Sequence, residues 1–439
     1  MARSLSISNI ASAWAGSFGS SLRSVAARVR IGGIVALCRW VCGPPALGGW
    51  AAPGSENPWM IQATPQINWS DDAGQPQAVD WRSLAGHPAP ARVVVADDHL
   101  AADAAFRLIA QGQALLWRGA YPQARQLLQA LGRRLDRRQQ RPARPAATLA
   151  EAFLMQRQQQ AERARVLGQL LLPFDADHGL PLLRAPDVRA AGLQAHGPVA
   201  RHYVASLREL LGLVGAFEWR RKGVLIPALG AHIHPHHGVF SPVRGEYVDL
   251  VANEALPAAA LAHGAMDIGT GTGVLAALLA RRRLRVVATD LSRAALACAD
   301  DNLQRLGLAA QVTLLQADLF PPGLAGLVVC NPPWVPAPAH AGLDAAVYDP
   351  DSRMLRGWLA GLAAHLASGG EGWLILSDLA EHLGLRPREQ LLGWVAAAGL
   401  LVLGRSDTRP QHRRVMDAAD PLHAARSAEV TSLWRLGAA

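Results

Sequence analysis

From Leu256 onward the chain repeats one pattern, a short apolar run that stops abruptly and gives way to a stretch with helical spacing. The successive segments are "GAMDIGTGTGVLAALLARR", "LRVVATDLSRAALACADDNLQRLG", "QVTLLQADLF", "GLVVCNPPW", "DSRMLRGWLAGLAAHLASGG" and "EGWLILSD". Parallel strands need a crossover between them, and the crossover helix covers a face of the sheet, so this alternation specifies an α/β doubly wound sheet. In such sheets ligands bind beyond the carboxyl ends of the strands. The residues that carry chemistry are therefore expected just after each apolar run.

The first run ends at Asp267, followed by Gly269, Gly271 and Gly273. Glycine at alternate positions lets the backbone turn tightly and approach a ligand before a helix begins. A dinucleotide fingerprint places its third glycine five residues after its first, and here Gly273 follows Gly269 by four, which points to a ligand without a pyrophosphate. The second run ends at Asp290, where a carboxylate can accept both hydroxyls of a ribose. The third ends at Asp318, placed to accept from an adenine amino group. Each acid alone would pass as a helix cap, but acids at successive strand ends behind a glycine loop favour a bound nucleoside. The fourth run closes on Asn331-Pro332-Pro333-Trp334, where two prolines cannot continue a ladder and something is presented at a strand end.

"DIGTGTG", Asp290, Ala317-Asp318 and "NPPW" together resemble the class I S-adenosylmethionine-dependent methyltransferases, within the small-domain group that includes HemK/PrmC-type glutamine methyltransferases and several ribosomal RNA N-methylases. The resemblance covers roughly residues 224–436. It implies a seven-stranded Rossmann-like methyltransferase sheet and S-adenosyl-L-methionine as cofactor. Asp267, Gly269, Gly271 and Gly273 would line its methionine end, Asp290 would hold the ribose and Asp318 the adenine. "GVFSP" resembles the segment that closes the cofactor pocket in that group, which makes Phe240 a candidate wall. "VTSLWRL", 430–436, would be the last, antiparallel strand.

Methyl transfer from a sulfonium is a direct displacement, so the enzyme must chiefly aim a nitrogen lone pair. Acceptors at the Asn331 side chain and the Pro332 carbonyl would take both N–H groups of an amide or exocyclic amine and draw its nitrogen toward tetrahedral geometry. Pro332 and Pro333 stiffen the turn, and Trp334 offers a flat face for a planar group. The HemK/PrmC-type pattern usually has tyrosine after the prolines, then Glu-Pro and a Gly-Gly pair. This chain has Trp334, Asp349-Pro350 and only Gly357. The expected activity is N-methylation of a planar amide or amine in a macromolecule, with protein glutamine ahead of an RNA or DNA base amine; a cofactor-binding scaffold without catalysis is the alternative of another class.

The remainder is less specific. Residues 1–59 contain five arginines and one acid and read as a leader, a disordered tail or an extension ahead of a start at Met60. The cytosolic cofactor favours the last of these and a cytoplasmic location, and the run "IGGIVALC" is too short to span a bilayer. Residues 60–199 are expected to form a mainly helical domain, with a helix pair over 100–135 and another helix near 148–171. An Arg/Pro-rich linker falls near 133–146, where phosphate contact is the second reading. Residues 200–255 are expected as a strand and turn segment beside the pocket, and 256–439 as the catalytic domain. Basic residues outnumber acidic ones 43 to 34, yet Lys222 is the lone lysine, a skew that argues only weakly for nucleic acid. Cys38, Cys42, Cys298 and Cys330 lack the spacing of a zinc site, and His232, His234, His236 and His237, split by a proline, are expected to hydrogen-bond rather than hold metal.

Overall fold

A computed structural model describes residues 64–439 apart from 72, 140–145, 243–244, 340–341, 411–416 and 419. Residues 1–59, Met60, Cys38, Cys42 and part of the arginine segment lie outside the described residues. Described residues 65–439 make up a single unit. Among them no helix is long and apolar enough to cross a membrane.

The first sheet has six strands: β1 Gln66–Ser70, β2 Pro76–Trp81, β3 Val93–Ala96, β4 Ala114–Trp117, β5 Leu170–Phe174 and β6 Tyr203–Ser206, in the order β1-β2-β6-β5-β4-β3. Helices Ala102–Ala110, Tyr121–Gln139, Leu149–Leu167 and Leu207–Lys222 flank it. The region 60–199, expected to be mainly helical, instead supplies five strands of this sheet, the sixth lies beyond that boundary at Tyr203–Ser206, and the helix pair over 100–135 does not form. Its first member stops at Ala110, Gly112 takes φ +83°, and "ALLW" becomes β4 between β3 and β5. Four consecutive apolar residues suit a buried strand as well as a helical turn. Burial on both faces settles it, for Leu115 and Trp117 pack in one cluster while Ala114 and Leu116 pack in another.

A short hairpin, β7 Val224–Ile226 with β8 Ala231–Ile233, leads into the second sheet. Its strands are β9 Ala265–Ile268, β10 Val286–Asp290, β11 Val312–Gln316, β12 Ala325–Cys330, β13 Leu366–Ser377, β14 Leu400–Thr408 and β15 Thr431–Ala438. They lie in the order β11-β10-β9-β12-β13-β15-β14, with β15 antiparallel to both of its neighbours. The doubly wound, seven-stranded expectation is met, and the last strand enters between β13 and β14 instead of at the edge. Both faces are covered: Leu327 and Val329 pack into one apolar cluster, Val328 and Cys330 into the other. Helix Val274–Arg281 is buried continuously from Val274 to Ala280, which fits a helix enclosed on all sides.

The chain winds outward from β9 to β11 and then returns to β12 on the other side of β9. The reversal opens a crevice between the carboxyl ends of β9 and β12. Close packing makes this geometry intolerant at Gly326 of β12, where an added Cβ would lie 2.1 Å from the Ala259 carbonyl carbon. Overpacking against backbone has no flexible side chain to yield. Gly326→Ala is expected to lower unfolding stability by about 3 kcal/mol or more, measured by urea titration.

Candidate functional site

Parallel register sets Ile268 of β9 beside Thr289 of β10 and Cys330 of β12, so the loops that follow all leave from one edge. Directly past Ile268 the chain turns back on β10, and the Gly269 and Thr270 N–H groups both donate to the Thr289 carbonyl at 2.9 Å. Gly271 has φ +55° and nothing within 4 Å of its would-be Cβ, so the loop presents bare backbone to open space. Gly273 caps helix Val274–Arg281 at φ +78°, where a Cβ would come within 3.1 Å of Ala299. One position needs glycine for approach and the other for packing.

Asp267, at 1% exposure, is the acid beneath this loop. Its Oδ2 accepts from the Thr270 hydroxyl at 2.7 Å and the Ala276 N–H at 3.0 Å. Its Oδ1 is buried without a donor. Burial pushes the carboxyl up to about 6, against the pull of those two hydrogen bonds. An unpartnered buried carboxylate oxygen suits a cationic donor, and the α-ammonium of S-adenosylmethionine is one.

Asp290 joins the glycine loop to the next helix: its Oδ2 accepts from Gly271 N–H at 3.0 Å and its Oδ1 from Ser292 N–H at 2.8 Å. A carboxylate has about four acceptor positions, so two remain for ribose hydroxyls. Asp318 forms a forked pair with Arg353, both contacts at 3.2 Å, and stays more than half exposed. That pair ties helix Arg353–His365 across to the loop after β11. Phe240 is exposed, next to Val239, which packs on Ala295 and Cys298.

The histidine stretch fastens this segment. His234 N–H donates to Asn302 Oδ1 at 2.7 Å, His236 N–H to Cys298 Sγ at 3.3 Å, and the His236 ring meets Asp301 at 3.1 Å. Although burial opposes it, hydrogen bonds from His236, Arg220 and Arg305 hold the Asp301 carboxyl down at about 2. Cys330 is fully buried, and burial drives its thiol far up, away from nucleophilic use.

At the end of β12, Asn331 Oδ1 accepts from Trp334 Nε1–H at 2.9 Å. An indole N–H only donates, so it fixes which end of the Asn331 amide is oxygen. Pro332 is buried, Pro333 is half-buried, and Trp334 packs against three apolar clusters. Tyr247, a buried residue of helix Glu246–Asn253, lies near both Asn331 and Asp267. Its sequence signal is helical core spacing alone, which says nothing of that proximity. Asp349 is the second residue without a clear signal. Its N–H donates to the Val335 carbonyl at 2.9 Å, while its carboxylate accepts from the Met354 and Leu355 N–H groups at 3.1 and 3.2 Å. The turn is thereby tied to helix Arg353–His365.

Because the folded-state value of Asp267 is raised from 3.8 to about 6, its favourable contribution is complete below 3.8 and lost as pH rises through about 6. Asp267→Asn keeps an oxygen for Thr270 and Ala276. It is expected to be more stable than the parent at pH 8 by about 2–3 kcal/mol, with the difference closing near pH 4, in urea titrations at the two pH values. Calorimetry on the same variant should show loss of S-adenosylmethionine binding.

Residues 230–391 match the methyltransferase small domain family. The release factor glutamine methyltransferase of Moorella thermoacetica is 41% identical over 150 residues, 29% of this chain and 53% of that protein. Its counterpart in Gloeobacter violaceus is 29% identical over 45% of this chain and 73% of that protein. The chain spans about half the length of the first curated relatives that it matches. A solved methyltransferase from Pyrococcus furiosus superimposes with a TM-score of 0.35 at 16% identity, over 52% of this chain and 98% of that one, too remote to add to the topology itself. Strand order and the glycine loop over Asp267 agree with the family match: residues 230–391 form a methyltransferase small domain, and this part of the chain is similar to glutamine methyltransferases of the HemK type.

Proposed function

We propose that the chain methylates a planar amide nitrogen in a protein, a glutamine side chain, with S-adenosylmethionine as methyl donor. The observation that carries this reading is Asn331, an oriented amide acceptor at the end of β12, beside the end of β9 that carries Asp267 and the glycine loop. The names of the relatives, glutamine methyltransferases acting on release factors or on ribosomal protein uL3, support the choice of glutamine.

S-adenosylmethionine, when bound, supplies a methyl group activated by a sulfonium. The work of the chain is orientation. Asp267 Oδ1, Gly271 and Asp290 would hold the cofactor. Asn331 Oδ1 and the Pro332 carbonyl would accept the two N–H groups of the incoming amide, which draws the nitrogen out of conjugation and aims its lone pair. Asn331 Oδ1 accepts one hydrogen bond from Trp334, which fixes its orientation and leaves its second lone pair for the entering N–H. No base is needed before transfer, since the proton leaves after the new bond has formed.

The test is transfer of labelled methyl from S-adenosylmethionine into an extract of cells lacking the protein, followed by protease or ribonuclease. Protease should release the label. Release by ribonuclease instead would make a base amine the acceptor, and cofactor binding without transfer would make the chain a scaffold. Asn331→Ala is expected to slow transfer on the order of 100-fold, as for loss of one aligned acceptor, with cofactor affinity by calorimetry nearly unchanged.

A further inference from the structure

Helix Leu149–Leu167 belongs to the N-terminal part of the chain, yet one of its faces lies on the connection that leaves the Asn331–Trp334 turn. The helix is firmly started: Thr148 Oγ1 accepts from Glu151 N–H at 3.1 Å, and the Glu151 carboxylate accepts from Ala147 N–H at 2.7 Å, a reciprocal cap. Phe153 and Arg157 stand one turn apart on its buried face. Phe153 packs with Val335 and Ala337, and its ring centroid lies 6.3 Å from that of Tyr348. The Arg157 guanidinium carbon sits 3.8 Å over the Tyr348 ring, and its Nη2 donates at 3.0 Å to both the Pro338 carbonyl and Asp344 Oδ2. One planar cation thus grips both described arms of the connection, 335–339 and 342–349.

Those arms are joined to the turn by backbone. Val335 follows Trp334 directly and pairs with Tyr348 in an isolated parallel bridge, with Val335 N–H on the Val347 carbonyl at 3.3 Å and Asp349 N–H on the Val335 carbonyl at 2.9 Å. A shift of Tyr348 therefore moves Val335, and with it the indole that fixes Asn331. The ion pair is largely enclosed, with Arg157 and Asp344 side chains 11% and 29% exposed, so solvent screens it little.

We propose that Arg157 is a positioning residue for methyl transfer, supplied by the N-terminal helix: it touches neither cofactor nor acceptor and sets the Asn331–Trp334 turn through Tyr348 and Val335. The inference rests on the methyl-transfer reading above. It gives the N-terminal region a part in the rate of the chemical step in addition to any part in docking.

Arg157→Met retains the length and apolar stem and removes the fork and the charge. Its kcat is expected to fall between about 10-fold and 100-fold, the scale for a small misplacement at the reacting centre, while acceptor KM and cofactor Kd stay within about 2-fold. Arg157→Lys should recover part of the loss, since it restores charge without the fork. Amide hydrogen exchange at Val335, Val347, Tyr348 and Asp349 should quicken in Arg157→Met, with the remaining amides of the catalytic sheet unchanged. Asp344→Asn releases the same grip from its more exposed side and should move both readouts the same way if Arg157→Met folds poorly. Unchanged kcat, a loss that tracks the unfolded fraction by circular dichroism, or exchange at the parent rate would each overturn the role of Arg157. If the parent chain itself transfers no methyl to protein, the methyl-transfer reading fails, and the exchange measurement still decides whether Arg157 holds the turn.

Discussion

The site depends on the parallel register that β9 keeps with both of its neighbours. Val286 lies opposite Ala265 on one side and Leu327 opposite it on the other, so three strands end in a row. Parallel strands cannot be joined by tight turns, and the chain must wind one way from β9 and come back to reach β12. That reversal leaves no connection across the crevice. Asp267, Asp290 and Asn331, far apart in sequence, are therefore brought around one opening by backbone register.

Inside this frame the molecule tolerates several unfavourable groups. Asp267 is buried with one oxygen unpaired. Among the described residues Arg386, at 1% exposure, reaches Ser352 Oγ at 3.4 Å, and its Nε and Nη2 meet no acceptor there. Asp351 and Ser352 take φ values of +55° and +52°, a conformation that non-glycine residues rarely adopt. Asp351 and Ser352 belong to the connection that follows β12, and Asp267 lies in β9 one residue before its carboxyl end. A buried carboxylate oxygen without a donor is held there by the packing of β9 and would be relieved by a cationic ligand, which is how stability is exchanged for function at sites of this kind.

Much of the catalytic sheet was legible because each strand and helix there carries its own local signal. Apolar runs end at Asp267, Asp290 and Asn331, and the spacing of the glycines excludes a pyrophosphate loop. Where the signal is local but ambiguous, tertiary pairing decides. "ALLW" is a strand only because β3 and β5 lie on either side of it. The insertion of β15 between β13 and β14 is likewise invisible in "VTSLWRL", whose pattern gives a strand but not its neighbours. Tyr247 and Arg157 escape for a third reason. Each sits at ordinary helical spacing among buried residues, and what sets them apart is what lies across the fold from them, Asn331 and Asp267 near one and Tyr348 beneath the other.

The hydrogen bond from the Trp334 indole to Asn331 has a consequence for what the turn will accept. The indole occupies one lone pair of that oxygen and leaves the other as an acceptor, so a newcomer gains a place only by offering an N–H of its own. A side-chain amide can do so. A carboxylate of the same size and shape cannot: it has no hydrogen to give, and it sets negative charge against an acceptor oxygen and beside the Pro332 carbonyl. Buried sites built around hydrogen bonding reject the analogue that lacks the hydrogen far more strongly than apolar pockets reject a missing methylene. Under the proposed chemistry, the oxygen that the indole orients thus acts as a sieve between glutamine and its deamidated counterpart glutamate, and the distinction is made before any methyl group moves.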